Sequence, residues 1–299
     1  MTNEEPGQPE PTEPGPPQAD ANEAAVPAAA SPGGRSPIWT QFLTPLAVVI
    51  GAVIVAGAIW YTDDEPLAPA AVVAPELDAV SAAPTTGAVS PTTVLDALLG
   101  YAQQVDIDTG QFRTCLASDS AATIVNDHLA RGADYGVTGT PTFFINNKML
   151  VGAQPTEIFV EIIEAELNGS PTSLDEYSPS VQALAQSSPP RFEILDGPPP
   201  SLEGSNIEGE DDATVVVAEF SDFQCPFCQR WTLESLPTLR AELGDKVKLA
   251  FLHYPITAIH PNAGYASVAA ICAGEQGAFW EMHDLLFARQ GEWAALPVQ

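Results

Sequence analysis

A pair of cysteines separated by two residues directly follows a strand-like run, and this arrangement restricts the fold more than any other feature. The run 214–220 has the length and apolarity of a buried strand. Cys225 and Cys228 come next, at the start of a helical pattern of apolar residues, and a second strand-like run covers 247–252. Strand, helix and strand in this order predict a βαβ unit.

The position of the cysteines at a strand-to-helix corner predicts a reactive pair. Unpaired backbone N–H groups and the positive end of the helix dipole would stabilise a thiolate on the first sulfur. We therefore predict Cys225 as the nucleophile, and Cys228, one helical turn later, as the thiol that resolves a mixed disulfide. Pro226 suits the first helical turn, where its missing N–H has no partner in any case.

Other uses of a Cys-x-x-Cys pair fit less well. Zinc would need more ligands, and His253 and His260 are separated by six residues, outside the usual finger spacing. A c-type haem requires a histidine after the second cysteine, where Gln229 stands. A structural disulfide between Cys225 and Cys228 remains an alternative, although so short a loop gains little closure entropy.

We predict no metal and no cofactor. All four histidines are interpreted as surface or packing groups: His128, His253, His260 and His283.

The N-terminal third of the chain is predicted to lie outside any globular domain. Proline is twice as frequent as the usual ~5%, at 29 of 299 residues, yet 45% of residues are hydrophobic. Proline must therefore be concentrated in segments, of which 1–40 is an acidic, disordered tail. Residues 41–61 form an apolar run long enough to cross a membrane, with a buried core helix as the alternative. Residues 62–92 are an Ala/Pro tether.

The charges around 41–61 predict its orientation. Arg35 precedes the run, whereas Asp63, Asp64 and Glu65 follow it, so the N-terminus is expected in the cytoplasm and everything after the run outside it. We favour an uncleaved, single-pass signal anchor in the cell membrane over a cleaved signal peptide. The net charge of −29 argues against nucleic acid as a partner.

Two blocks of the chain have the patterns of folded structure. The first, 93–169, has helical periodicity followed by two strand-like runs around the turn Asn146-Asn147, which predicts a hairpin. A last helix opens at Pro155. The second block, 213–299, contains the cysteine pair. Between them, 170–212 is rich in Pro, Ser, Gly and acidic residues and is interpreted as a linker.

Two segments carry a family resemblance. Residues 220–228, with the cysteine pair, and 139–145, with the sequence Gly-Thr-Pro-Thr-Phe-Phe-Ile, resemble the DsbA-type thiol-disulfide oxidoreductases. The resemblance implies an α/β thioredoxin-like fold with a helical insertion. It also implies that Pro141 forms a cis peptide beside the redox pair and that Thr140 offers its backbone to an extended substrate. An ordinary trans turn at Pro141 is the alternative.

The resemblance assigns further residues. Glu219 falls where the family carries a buried acid that could accept a proton from Cys228, and an exposed strand end is the alternative. Phe227 replaces the family's frequent histidine, so a strongly oxidising potential is not carried over. Cys115 and Cys272 match a structural disulfide, which export would permit, and two unpaired buried thiols are the alternative.

The order of the two blocks is the reverse of the family's usual order. The cysteine block normally comes before the helical insertion and the proline hairpin, whereas here it comes last. Either the chain is a circular permutant whose connection 170–212 joins the original ends, or it is a piece of a tandem. In both cases a composite domain can form. We therefore expect Cys225 beside the Thr140–Pro141 peptide within one molecule.

These observations predict a membrane-anchored, extracytoplasmic thiol-disulfide oxidoreductase that acts on exported proteins with cysteines. The direction of electron flow is left open, and an oxidising role would imply a quinone-coupled membrane thiol oxidase as partner. The alternative is a catalytically weak, tethered binding module or a truncated tandem product whose halves do not assemble.

Overall fold

A six-stranded mixed β-sheet forms the centre of the fold, and both blocks of the chain contribute strands to it. The computed structural model describes residues 90–298. The predicted tail (1–40), the predicted membrane span (41–61) and nearly all of the predicted tether (62–92) lie outside the described residues. Within 90–298, no helix combines the length and the apolarity needed to cross a bilayer.

The described residues form strands and helices in the following places. The strands are β1 (Thr142–Ile145), β2 (Lys148–Val151), β3 (Phe192–Ile194), β4 (Asn206–Glu208), β5 (Val215–Ser221) and β6 (Val247–His253). The helices are α1 (Val94–Gln104), α2 (Thr109–Leu116), α3 (Asp119–Asp134), α4 (Thr156–Leu167), α5 (Pro179–Ala185), α6 (Pro226–Glu234), α7 (Leu236–Leu243), α8 (Ala263–Gly274), α9 (Phe279–Ala288) and α10 (Gln290–Trp293). A short 3-10 helix covers Leu174–Glu176.

The sheet joins the two blocks through its central strands. The strands lie in the order β3-β2-β1-β5-β6-β4. β5 and β6 are parallel, which the crossover through α6 and α7 allows. β1, from the first block, runs antiparallel to β5, from the second, with Thr142 opposite Phe220. The residues of both blocks therefore build one α/β domain.

Helices cover both faces of the sheet, which explains the continuous apolar runs of its central strands. Successive residues of β1 point to opposite faces, so Phe143 and Phe144 belong to two different hydrophobic cores. One core lies between the sheet and α4, α5, α6 and α7. The other is filled by α1, α2 and α3 of the first block together with α8, α9 and α10 of the second. These six helices form the predicted helical insertion.

The interpretation of 170–212 as a linker is wrong in part. This segment joins the two blocks, but it also supplies both edge strands of the sheet, β3 and β4. Tyr177, Val181 and Phe192 are buried in the core beneath α4. The composition of 170–212 did not indicate these strands, because each is only three residues long. Short edge strands of this kind are common in proteins and contain few apolar residues.

A disulfide between Cys115 and Cys272 links the blocks covalently. It connects α2 to α8 across 157 residues of sequence, with Cα atoms 5.7 Å apart. Both cysteines are buried within the helical insertion. The alternative of two unpaired thiols therefore does not hold.

A buried ion pair holds the proline hairpin against α4. Lys148 Nζ on β2 lies 2.8 Å from Glu166 Oε1, and both side chains are 0% exposed. Lys148 also donates to the side chains of Asn147 and Ser170. Asn146 donates to Glu166 and accepts from the Val216 backbone N–H, at 2.9 and 3.0 Å. The turn of the hairpin is thus bonded to both α4 and β5.

Replacing one member of this pair should be costly. Lys148→Met leaves the Glu166 carboxylate buried without its counter-charge, so we expect a loss of about 3–5 kcal/mol in the free energy of unfolding. Lys148→Met combined with Glu166→Gln should recover part of that loss, because the uncompensated charge is gone. Urea denaturation of the parent and both variants measures this. Additive losses in the double variant would contradict the pairing.

Removing the disulfide should lower stability without changing the fold. For a loop of this length, Cys115→Ser with Cys272→Ser is expected to cost about 2–5 kcal/mol, since the unfolded chain gains freedom. The measurement is the urea midpoint of the double variant, with far-ultraviolet circular dichroism as the control for an unchanged fold. An unchanged midpoint would contradict this expectation.

Candidate active site

The cysteine pair lies at the connection between β5 and α6. β5 ends at Ser221, a tight turn follows, and Cys225 is the N-cap residue of α6. The backbone N–H of Cys225 donates to the carbonyl oxygen of Asp222 at 3.0 Å, which closes the turn. Pro226 occupies the first helical position, as predicted from its missing N–H. Cys225 is 4% exposed and Cys228 is 0% exposed.

The two thiols have opposite electrostatic environments. The pKa of Cys225 is lowered to about 6, first by the hydrogen bond from Cys228, and then by Thr140 and the backbone N–H groups of Phe227 and Cys228, against the effect of burial. The pKa of Cys228 is raised well above its ordinary value by burial, and further by the charge of Cys225. Near neutral pH, Cys225 is therefore a thiolate and Cys228 a thiol, which is the division of roles that exchange chemistry needs.

The peptide between Thr140 and Pro141 lies beside this pair. It is cis, so the alternative of a trans turn does not hold. The Sγ atom of Cys225 is 3.4 Å from the carbonyl oxygen of Thr140, 85 positions away in the sequence, and donates to it in the thiol form. The structure thus brings Cys225 together with Thr140 and Pro141 in one molecule.

Glu219 lies in the interior below the cysteines. It is on β5 between Phe143 of β1 and Phe251 of β6, and is 4% exposed. Burial raises its pKa to about 8; the charge of Cys225 adds to this, and Ser221 opposes it. Its charge in turn raises the pKa of Cys228. The alternative of an exposed strand end is therefore wrong.

Phe227, between the cysteines, is on the surface. Its side chain is 54% exposed. The guanidinium of Arg230 lies 5.4 Å from the centre of the ring and also donates to the carbonyl oxygen of Ala153 at 2.8 Å. Phe227 carries no charge that could stabilise the neighbouring thiolate.

Sequence reasoning missed Asp222 and His260. Asp222 is fully buried, and its Oδ2 atom accepts from the ring Nδ1 of His260 at 2.7 Å, across 38 residues of sequence. Asp222 Oδ1 accepts from the backbone N–H of Gln224 at 2.7 Å. That short-range turn pattern is a signal in the sequence. Nothing in the spacing of His260 indicates its partner.

The other histidines are packing groups. His128, His253 and His283 are all 0% exposed. His253 and His283 lie among the rings of Phe223, Phe251 and Phe279, and the His128 ring stacks on that of His253 at 5.7 Å. Burial lowers the pKa of each of the three imidazoles. Among residues 90–298, no three or more His, Cys, Asp or Glu side chains are grouped so that they could hold a metal ion.

Fold and site together define a thioredoxin-like protein with a Cys-x-x-Cys pair at the start of a helix. Two family models match the chain in agreement with this class. Residues 201–298 match a model described as Thioredoxin, and residues 88–164 match one described as DSBA-like thioredoxin domain. These two segments of the chain are thus similar to DsbA-like thioredoxin domains.

Individual relatives match over parts of their length. "Probable disulfide bond formation protein D" of Bacillus anthracis is 39% identical over 84 residues, which is 27% of this chain and 39% of that protein. "Na(+)/H(+) antiporter NhaA 1" of Salinispora arenicola (strain CNS-205) is 43% identical over 96 residues, 31% of this chain and 14% of the antiporter. The chain therefore spans well under half of the length of these curated relatives.

One solved structure is similar over part of its length. The crystal structure of oxidised BdbD from Bacillus subtilis has 28% sequence identity and a TM-score of 0.28. The similarity covers 30% of this chain and 50% of that chain.

The raised pKa of Glu219 predicts a pH dependence of stability. Its pKa in the folded protein, about 8, lies above the ordinary value of 4.5. The stability contributed by the protonated carboxyl is therefore complete below that ordinary value and is lost as the pH rises through the folded-state pKa. Glu219→Gln should remove this loss. Between about pH 5 and about pH 8, the free energy of unfolding of the variant should therefore rise by a few kcal/mol relative to that of the parent.

Urea denaturation of parent and variant at both pH values, in the same redox state, measures the difference. A stability gap that does not change with pH would show that Glu219 is ionised in the folded protein.

Proposed function

We propose that this chain is a thiol-disulfide oxidoreductase that works through Cys225 and Cys228. The observation that carries the proposal is the contrast between the two thiols, one a low-pKa thiolate at a helix N-terminus and the other a buried thiol held protonated. The contact between Cys225 and the backbone carbonyl of Thr140 supports it. Sequence similarity to a disulfide bond formation protein points in the same direction.

The exchange proceeds through a mixed disulfide. In the reducing direction, the Cys225 thiolate attacks one sulfur of a substrate disulfide, and the other sulfur leaves as a thiolate. Cys228 then attacks the Cys225 sulfur, which releases the substrate and forms the Cys225–Cys228 bond. In the oxidising direction these steps run backwards, and a substrate thiolate attacks Cys225. Two electrons pass between substrate and protein in either direction.

The surrounding residues have distinct roles in these steps. Glu219 accepts the proton that Cys228 must lose before it attacks, since its raised pKa brings it into the range of neutral pH. Thr140 offers its backbone to an extended substrate, and the exposed ring of Phe227 supplies apolar surface next to the reacting sulfur.

We further propose that the domain acts outside the cytoplasm, tethered by residues 41–61, on exported proteins that contain cysteines. The Cys115–Cys272 disulfide supports an oxidising compartment. An oxidising role would require a quinone-coupled membrane thiol oxidase to accept the electrons. Recovery of the full-length protein in the alkali-washed membrane fraction tests the anchor, and its release into the soluble fraction would contradict it.

The order of the blocks leads us to propose a circular permutation of the family's domain, with 170–212 as the connection between the original ends. The DSBA-like match over 88–164 and the Thioredoxin match over 201–298 support this, as do the strands that each block adds to one sheet. The shared sheet favours assembly over a binding module with separate halves. A crystal structure with Cys225 and Pro141 on separate bodies would overturn the assembly of the two blocks on which this proposal depends.

The cysteines should differ in their response to substitution. We expect Cys225→Ser to lower disulfide exchange to the uncatalysed rate, because it removes the nucleophile. Cys228→Ser should instead accumulate a mixed disulfide, because it removes the thiol that resolves this intermediate. The measurement is the exchange rate with a disulfide-bonded peptide, with non-reducing mass spectrometry of the trapped species.

The matched control replaces the other cysteine pair. Cys115→Ser with Cys272→Ser should keep the exchange rate of the parent at a temperature where the variant is folded. That pair forms a disulfide between α2 and α8 and takes no part in the proposed exchange. Exchange by the parent at no more than the uncatalysed rate would overturn the proposed function and favour a binding module.

A further inference from the structure

An aspartate and a histidine form an ion pair at the turn that carries Cys225. Asp222 Oδ2 accepts from His260 Nδ1 at 2.7 Å, and the backbone carbonyl of the same aspartate accepts from Cys225 N–H at 3.0 Å. One residue therefore holds both the histidine ring and the backbone of the nucleophile.

Two further hydrogen bonds connect the loop that carries His260 to this turn. The backbone N–H of Ile256 donates to Asp222 Oδ2 at 2.8 Å, and that of Asn262 donates to Gln224 Oε1 at 2.8 Å. These bonds lie on both sides of His260 in the sequence. The imidazole is thus kept at a set position on the turn that precedes the reactive cysteine, although it comes from the segment between β6 and α8.

The charges around His260 favour its protonated form. The Asp222 side chain is 0% exposed and that of His260 is 15% exposed. A fully buried carboxylate needs a counter-charge, and His260 is the ionic partner that it has. Asp222 and Cys225 are the titratable groups that act on the imidazole, and both raise its pKa against the effect of burial. Both groups therefore stabilise an imidazolium at this position.

We propose that His260 is a positioning residue that carries the counter-charge of the Cys225 thiolate and takes up a proton when the cysteine pair is reduced. This inference rests on the proposed function, which it deepens. The position between the cysteines, where a cation would lie closest, holds the uncharged Phe227. His260 supplies a positive charge from a distant part of the sequence instead.

The redox step balances with the histidine included. When two substrate thiols are oxidised, the bond between Cys225 and Cys228 breaks, a substrate disulfide forms, and two electrons and two protons pass to the protein. One of these protons goes to the Cys228 sulfur, which becomes a thiol. Because Cys225 stays a thiolate, the other proton is held by the imidazole of His260. In the disulfide state the Cys225 charge is absent, so the pKa of His260 falls, although Asp222 still raises it. At a pH between the two values, the proton is released on oxidation.

Two substitutions separate the charge of His260 from its structural role. His260→Asn keeps an N–H donor where Nδ1 meets Asp222 but cannot become a cation, and His260→Ala removes both. The control Ile259→Ala changes the neighbouring side chain, which is 68% exposed, and should behave like the parent.

The readouts are the ultraviolet titration of the Cys225 thiolate and the equilibrium with reduced and oxidised glutathione. In both variants we expect the pKa of Cys225 to rise by about one unit. The equilibrium near neutral pH should shift about fivefold toward the protein disulfide, which is about 20 mV on the scale of ~30 mV per tenfold for a two-electron couple. A His260→Asn variant that matches the parent in both readouts would overturn the proposal.

A nuclear magnetic resonance titration of the His260 ring provides an independent measurement. We expect a higher pKa in the dithiol form than in the disulfide form, and equal values would overturn the proposal. Failure of the proposed function looks different: the parent itself would then not exchange with glutathione, whereas failure of this inference leaves exchange intact and insensitive to the charge at residue 260.

Discussion

The antiparallel pairing of β1 with β5 is the interaction on which the rest of the site depends. It places Thr142 opposite Phe220, so the peptide just before β1 lies beside the turn just after β5. Phe143 and Phe144 enter different cores, and a shift of one residue would exchange their faces. The register is thereby tightly specified, and with it the 3.4 Å contact between Cys225 and Thr140.

The chemistry follows from a difference in depth between two identical thiols. Both sulfurs belong to one helical turn, yet hydrogen bonds outweigh burial at Cys225, whereas burial dominates at Cys228. The same interior that keeps Cys228 protonated also raises the pKa of Glu219. At the turn, the Asp222 side chain is hydrogen-bonded to His260, whose pKa it raises. Burial and hydrogen bonding around the end of β5 thus shift the pKa values of four groups, namely Cys225, Cys228, Glu219 and His260.

Local sequence patterns predicted the helices, strands and turns that have a clear local signal. The run 214–220 corresponds closely to β5, and the Asn146-Asn147 turn joins β1 to β2. The helix after Pro155 ends at Leu167, just before Gly169, as predicted. The edge strands in 170–212 were missed, because each has three residues whose pairing depends on neighbours far away in the sequence.

The sequence by itself determined the nature of the chemistry, since a Cys-x-x-Cys pair after a buried strand and a Thr-Pro before a hairpin are short, local patterns. Only the tertiary structure decided that these segments meet, that Glu219 is buried rather than exposed, and that His260 belongs to the site. The physical reason is that burial and ion pairing depend on contacts between residues tens of positions apart. No spacing rule encodes the separation of 38 positions between Asp222 and His260.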